Sequence, residues 1–198
     1  MYSSIIYRGL DLNIDNKDKK ILTLLAKNPH MSQGEIANEI GLSQSSVASR
    51  IEKLKQRDMI ETQIGINPLK NGLSIAKVDI TTNDPSLILD KFLHCPYFIN
   101  GYTVSGKYNL CLFFISEKIE AIEALVNHHI RSIESVTDIT FNIVTGAKKK
   151  FIVPIKFVSE NCSIPPCANQ DICKDCNDHI VGKCLGCPAT DMNKRWLS

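Results

Sequence analysis

The chain has little net charge. Its 198 residues sum to a formal +2, too small an excess to name a polyanionic partner, so any such case rests on where the charge sits. Long apolar runs are missing too. No stretch reaches the ~18 apolar residues of a spanning helix, and the best run, NLCLFFIS, has the length of a strand. The opening MYSSIIYRGLDLNID lacks a basic lead before an apolar core, so it does not read as a secretory leader. No phosphate-cradling loop and no nucleophile–base constellation stands out. These absences lead to the expectation of a cytoplasmic chain that meets no membrane and is not an enzyme. What is plentiful is cysteine at one end: of eight in the chain, five fall between Cys167 and Cys187, with Cys162 just before them.

Hydrophobic residues at 43% and charged residues at 22% are ordinary for a globular protein. The length allows one large domain or two small ones with an appendage. In DNKDKKILTLLAK, Ile21, Leu24 and Leu25 share one side of a helix that Asp15 can cap and Pro29 stops. In SQGEIANEIG, Ser32 followed by Glu35 spells a capping box, which satisfies two orphan backbone donors at a helix start. Gly41 then permits a tight turn, since glycine takes positive φ without a Cβ penalty.

Ser43 is the natural cap of the next helix, LSQSSVASRIEKLKQRD, with Val47, Ile51 and Leu54 facing a core. Its outward side carries Gln44, Ser45, Ser46, Ser49, Arg50 and Lys53, and Arg57 follows near its end. Capped helix, glycine turn and basic, serine-rich helix make a helix-turn-helix. Small serines let a backbone approach the major groove, Gln44 suits adenine edges, and Arg50 suits guanine or phosphate. Ser32, Gln33, Ser43, Gln44, Ser45, Ser46, Ser49, Arg50, Lys53 and Arg57 are therefore the candidate DNA-contacting residues. The alternation in MIETQIGINP predicts a two-stranded wing.

From Ile14 to Leu73 this stretch closely resembles the N-terminal domain of Lrp/AsnC (feast/famine) transcription regulators: SQGEIA, GLS and RIEKL occur in order and at the family's spacing. Asp58 stands where many members of that family have glycine before the wing; aspartate tolerates left-handed backbone better than most residues do.

NPLKNG then reads as a hinge. Beyond it, strand, helix, strand, strand, helix and strand follow in turn: LSIAKVDITT, DPSLILDKFLHC, YFINGYTVSG, NLCLFFIS, EKIEAIEALVNHHIRSI, and the closing strands VTDITFNIVTG and FIVPIKFV. The order βαββαβ predicts a ferredoxin-like unit. The family resemblance extends to about Val158 and implies a domain for effector binding and oligomerisation, as a homodimer or larger homo-oligomer. It also implies a small-molecule effector, commonly an amino acid, at the loop Gly106, Lys107, Tyr108, Asn109. The family usually has Gly-Asp-Tyr-Asp there, so Asn109 replaces a carboxylate that could face an α-amino group. His128 and His129, about 100° apart on a helix, are expected at a surface or interface. Cys95 and Cys111 are expected to pack as small apolar groups.

The fold class expected is α+β. Its parts are a winged helix-turn-helix domain over 1–66, a hinge at 67–73, a ferredoxin-like effector and oligomerisation domain over 74–158, and a metal-stapled tail over 159–198. The tail spacing is C-x4-C-x5-C-x2-C-x7-C-x2-C, from Cys162 and Cys167 through Cys173, Cys176, Cys184 and Cys187. Two C-x2-C pairs supply four thiolates to one metal centre, and a segment so polar would need the metal to fold. A [4Fe–4S] iron–sulfur cluster on Cys173, Cys176, Cys184 and Cys187 is the expectation, with zinc as the alternative; Cys162 and Cys167 could replace either member or form a redox pair. His179 is a weaker substitute ligand.

The function expected is a sequence-specific regulator binding double-stranded DNA, made redox- or metal-responsive by the tail. The alternatives are an amino-acid-sensing regulator with a structural zinc tail, and an enzyme similar to the sirohaem decarboxylases, which resemble this family in fold.

Overall fold

The structure, a computed structural model, describes residues 14–154, 173–190 and 193. The chain divides after Gln63 into two compact units.

In the first unit α1 (Asn16–Lys27), α2 (Gln33–Ile40) and α3 (Gln44–Gln56) surround one small core. Asp15 caps α1 and forms a capping box with Asp18; Ser32 and Glu35 form the expected box on α2. Gly41 ends α2 at φ 65°, the left-handed turn for which glycine is suited. Ser43 caps α3 by accepting the Ser46 N–H at 3.3 Å. Ile21, Ile36, Val47 and Leu54 are buried from the three helices; each such side chain contributes roughly 1.5–3 kcal/mol on burial. The Lys17 ammonium also donates to the Ile40 carbonyl, tying α1 to the end of α2. Asp58 takes the left-handed backbone, φ 53°.

Among the described residues the expected two-stranded wing is not seen as a hairpin, and Ile66 bridges Val153 antiparallel within the second unit. Gly65 allows the approach to Val153: a Cβ at Gly65 would lie 2.3 Å from the Val153 oxygen.

The second unit holds β1 (Ser74–Thr82), α4 (Pro85–Phe92), β2 (Phe98–Thr103), β3 (Leu110–Ser116), α5 (Ile119–His129) and β4 (Val136–Ile143). Pro68–Lys70 is a short 3-10 turn ahead of β1. The sheet is antiparallel in the order β2-β3-β1-β4, the expected βαββαβ arrangement. Val78 faces Leu112 and Ile80 faces Leu110, so the apolar residues of β1 and β3 share a face. Ile88 and Phe92 of α4 and Ile122 and Val126 of α5 bury against it. Asp84 caps α4, accepting the Leu87 N–H at 3.0 Å. Of FIVPIKFV only the first four residues are described, and among them Val153 bridges Ile66; the rest of that expected strand lies outside the described residues.

Of the tail, residues 173–190 and Asn193 are described. They contain a short helix, α6 (Asn177–Ile180), and a buried run that includes Leu185, Cys187, Ala189 and Thr190. The Tyr97 hydroxyl donates to the Gly186 carbonyl at 2.7 Å, inside the unit. The tail also carries an apolar half, Leu185 to Ala189, that is buried.

Candidate functional site

In the first unit, α3 turns its polar side into a groove of about 530 Å³ lined by Ser45, Ser46, Ser49, Arg50, Lys53 and Arg57, with Asp18 and Leu54 at its base. Gln44, Ser45, Ser46, Ser49, Lys53 and Arg57 are exposed, as are Ser32, Gln33 and Ser43. The Ser43 hydroxyl donates to the Ser46 hydroxyl at 2.9 Å and lies 3.1 Å from that of Ser45. Three hydroxyls therefore gather at the start of α3. The first turn there carries no acidic residue, and the positive end of the helix dipole favours an anion.

Arg50 departs from a freely outward cation. Its Nη1 donates to Asp15 at 2.7 Å and to Asp18 at 2.8 Å, so it braces α3 against the start of α1. The bonds to Asp18 and then Asp15 raise the Arg50 pKa. The Asp15 carboxyl is held below its usual range, by the Asp18 backbone first and by Arg50 after it. No local pattern announces this pair, which joins residues 35 positions apart.

The loop at Gly106, Lys107, Tyr108 and Asn109 is paired within the unit. Asn109 accepts from the Thr82 N–H at 3.0 Å and donates to the Thr82 carbonyl at 2.7 Å, so its amide acts as an extra rung beside β1. Lys107 pairs with Asp138 at 2.8 Å, which lowers the Asp138 pKa and raises that of Lys107. Thr140 donates to the Tyr108 hydroxyl at 2.8 Å, and Gly106 sits at φ 127°.

Cys162 and Cys167 lie outside the described residues. Cys173, Cys176, Cys184 and Cys187 are not joined in disulfides, and no three of their sulfurs lie within 4.8 Å of one another. The donor group that does close is His128, Cys176 and Asp178, whose ligand atoms all lie within 4.8 Å of one another. Among the described residues no other three His, Cys, Asp or Glu side chains do so. His128 Nε2 lies 3.5 Å from the Cys176 sulfur and 3.0 Å from the Asp178 carboxylate. His128 is exposed, in keeping with the expected place at a surface or interface. The 48 positions between His128 and Cys176 hide their meeting from any local spacing rule. Cys184 accepts from the Gly186 N–H at 3.4 Å. Burial first, and then the neighbouring Cys173, Cys176 and Asp178, push its thiol pKa up. Cys95 and Cys111 are buried, as small apolar groups would be, and burial raises the pKa of the Cys111 thiol.

The exposed, acid-poor face of a capped helix-turn-helix, joined in one chain to an α+β sheet unit, defines a DNA-binding protein of winged helix-turn-helix class. Residues 14–61 match the family model described as winged helix-turn-helix DNA-binding. The HTH-type transcriptional regulator LysM of Saccharolobus solfataricus is 30% identical over 134 residues, covering 67% of this chain and 94% of that protein. LrpA of Pyrococcus horikoshii, another HTH-type transcriptional regulator, is 27% identical over 130 residues, covering 64% of this chain and 92% of that protein. Among solved structures, the leucine response regulatory protein LrpA of Mycobacterium tuberculosis aligns with a TM-score of 0.60 at 26% identity, covering 69% of this chain and 95% of that one. Escherichia coli AsnC shares the fold, with a TM-score of 0.62 at 24% identity over 69% of this chain and 95% of that one. The chain belongs to the Lrp/AsnC family of transcription regulators. It is a DNA-binding transcription regulator, like these relatives, and not an enzyme. No helix among the described residues is long and apolar enough to cross a membrane.

Proposed function

We propose that this regulator reads double-stranded DNA with α3 lying in the major groove, and that its cysteine-bearing tail makes it responsive to metal or redox supply. The observation that carries the first part is the groove along α3, where three serines and the cations Lys53 and Arg57 share one wall. Ser43, Ser45 and Ser46, at the positive end of α3, suit a phosphate. Gln44 and Ser49 reach base edges, and Lys53 and Arg57 neutralise backbone charge. Ser32 and Gln33, at the start of α2, take a flanking phosphate. Arg50 contributes by holding α3 at its angle through Asp15 and Asp18 rather than by reading a base.

A homodimer would present two such helices to two half-sites. The edge strands β2 and β4 carry the exposed apolar residues Tyr102 and Ile143, which suit that role. For the tail, the nitrogen, sulfur and oxygen donors of His128, Cys176 and Asp178 suit zinc better than the all-thiolate [4Fe–4S] cluster. An amino-acid effector at residues 106–109 has less support, because the side chains of Lys107, Tyr108 and Asn109 already have partners.

The test is binding of the full chain to promoter duplexes by fluorescence anisotropy across a salt series. Lys53→Ala and Arg57→Ala should each weaken binding and reduce the slope of log K against log salt by about one. Unchanged slopes in both variants would remove α3 from the interface. For the tail, loading and stripping the metal at fixed salt should change operator affinity; an unchanged affinity would make the metal purely structural.

A further inference from the structure

We propose that His128, Cys176 and Asp178 are three ligands of one tetrahedral zinc-class ion that clamps the tail to the end of α5. The inference deepens the metal-responsive reading above and rests on it. It replaces a centre built from tail thiols alone with one shared between the tail and the sheet unit.

The geometry supports this. Around zinc, bond lengths of about 2.0–2.3 Å at tetrahedral angles put neighbouring donor atoms about 3.3–3.6 Å apart. His128 Nε2 and the Cys176 sulfur are 3.5 Å apart. His128 Nε2 and the Asp178 oxygen, 3.0 Å apart, are at hydrogen-bond distance and need only a small widening to admit the ion. Binding would break that hydrogen bond, shift the imidazole proton from Nε2 to Nδ1 so that Nε2 offers its lone pair, release the thiol proton of Cys176 to solvent, and form nitrogen, sulfur and oxygen bonds to the metal.

The fourth corner is left to a solvent molecule, since the Cys173 sulfur is not among the ligand atoms that lie within 4.8 Å of one another. The C-x2-C spacing turns the chain back on itself, with the Cys176 N–H directed at the Cys173 carbonyl, 3.4 Å away. The tail is already fixed at a second point, where Tyr97 donates to Gly186. The two anchors flank the stretch that contains Cys184, whose amide donates to the Asp178 carbonyl at 2.8 Å. A metal at the first anchor would therefore set whether the tail stays seated.

The test uses the full-length reduced protein, stripped of metal and titrated with Co²⁺, then with Zn²⁺ in competition with a chromophoric chelator. The parent should bind one ion with the visible bands of tetrahedral cobalt and a thiolate charge-transfer band. His128→Ala should lower zinc affinity by roughly 10- to 100-fold or more, since even an outer partner of a ligand is worth that much, and should shift the cobalt bands. His128 is exposed, so the variant keeps its fold; His94→Ala, an exposed imidazole elsewhere, should behave as the parent. Limited proteolysis gives a second readout: metal should protect the tail in the parent and not in His128→Ala. Parent-like affinity and spectrum in His128→Ala, with binding lost in Cys176→Ser, would overturn this proposal in favour of an all-thiolate centre and leave the metal-responsive reading standing. A parent that binds neither ion would overturn both.

Discussion

Replacing Tyr97 by phenylalanine should loosen the tail without loosening the sheet. The Tyr97 ring is 3% exposed and its hydroxyl donates to the Gly186 carbonyl at 2.7 Å. Phenylalanine keeps the ring and removes that bond together with the hydroxyl's contact with the buried Ser116 side chain. The Gly186 carbonyl retains the Asn193 side-chain amide at 3.1 Å, so it is not orphaned. The cost is then at least that of one ordinary hydrogen bond, about 1 kcal/mol, without the larger penalty of a bare buried carbonyl at Gly186. That amounts to about fivefold in the ratio of seated to unseated tail.

The assay is hydrogen exchange read by mass spectrometry. Peptides spanning 176–190 should exchange about fivefold faster in Tyr97→Phe, while those from β1 and β3 keep their parent rates. Unchanged exchange over 176–190, or an equal rise everywhere, would refute the reasoning. The same phenol gives the seating an alkaline limit. Burial first, and then the neighbouring cysteines, raise its pKa above the ordinary 10.0. The unseated form therefore loses its proton first. Seating is fully stable below about pH 10 and weakens as pH rises towards the raised value. Near-UV circular dichroism should show this loss in the parent beyond what Tyr97→Phe shows.

Three further outcomes follow from other parts of the chain. Asp58→Gly relieves a left-handed aspartate at φ 53° and should stabilise the chain by about 0.5–1 kcal/mol in denaturant titrations. Gly65→Ala would drive a Cβ to 2.3 Å from the Val153 oxygen and should cost about 1–3 kcal/mol while opening the bridge between Ile66 and Val153, seen as faster exchange at Ile66. Asp15 titrates below its usual value of 3.8 when folded, so its contribution to the helix-turn-helix unit is present above about pH 4 and fades as pH falls through the lowered value. Asp15→Asn should flatten that part of an acid-unfolding profile.

Much of the first unit was legible because its signals are short-range. Ser32 with Glu35, Gly41, and the cap at Ser43 are each decided within four residues, and so was the tolerance of Asp58 for left-handed backbone. The sheet unit could be read from the order of its blocks, strand, helix, strand, strand, helix and strand. The rest depends on pairs far apart in the chain. Arg50 reads as an outward cation until Asp15 and Asp18 are brought to it by the packing of α1 against α3. The segment 61–65 alternates like a wing, but the bridge that follows it joins Ile66 to Val153, far along the chain. His128 gained its meaning only when the tail folded back over α5. The apolar stretch from Leu185 to Ala189 was outweighed in the sequence by the polar residues before it, although it is this stretch that is buried.

The most direct test of the account is selection of bound sequences from a randomised duplex pool by the full chain, alongside Gln44→Ala and Lys53→Ala. The account expects the parent to enrich a motif. Gln44→Ala should relax it at a base position within each half-site, and Lys53→Ala should keep the motif while binding every sequence more weakly. A parent that enriches nothing, or a Gln44→Ala variant that enriches the same motif to the same degree, would contradict the claim that α3 reads DNA.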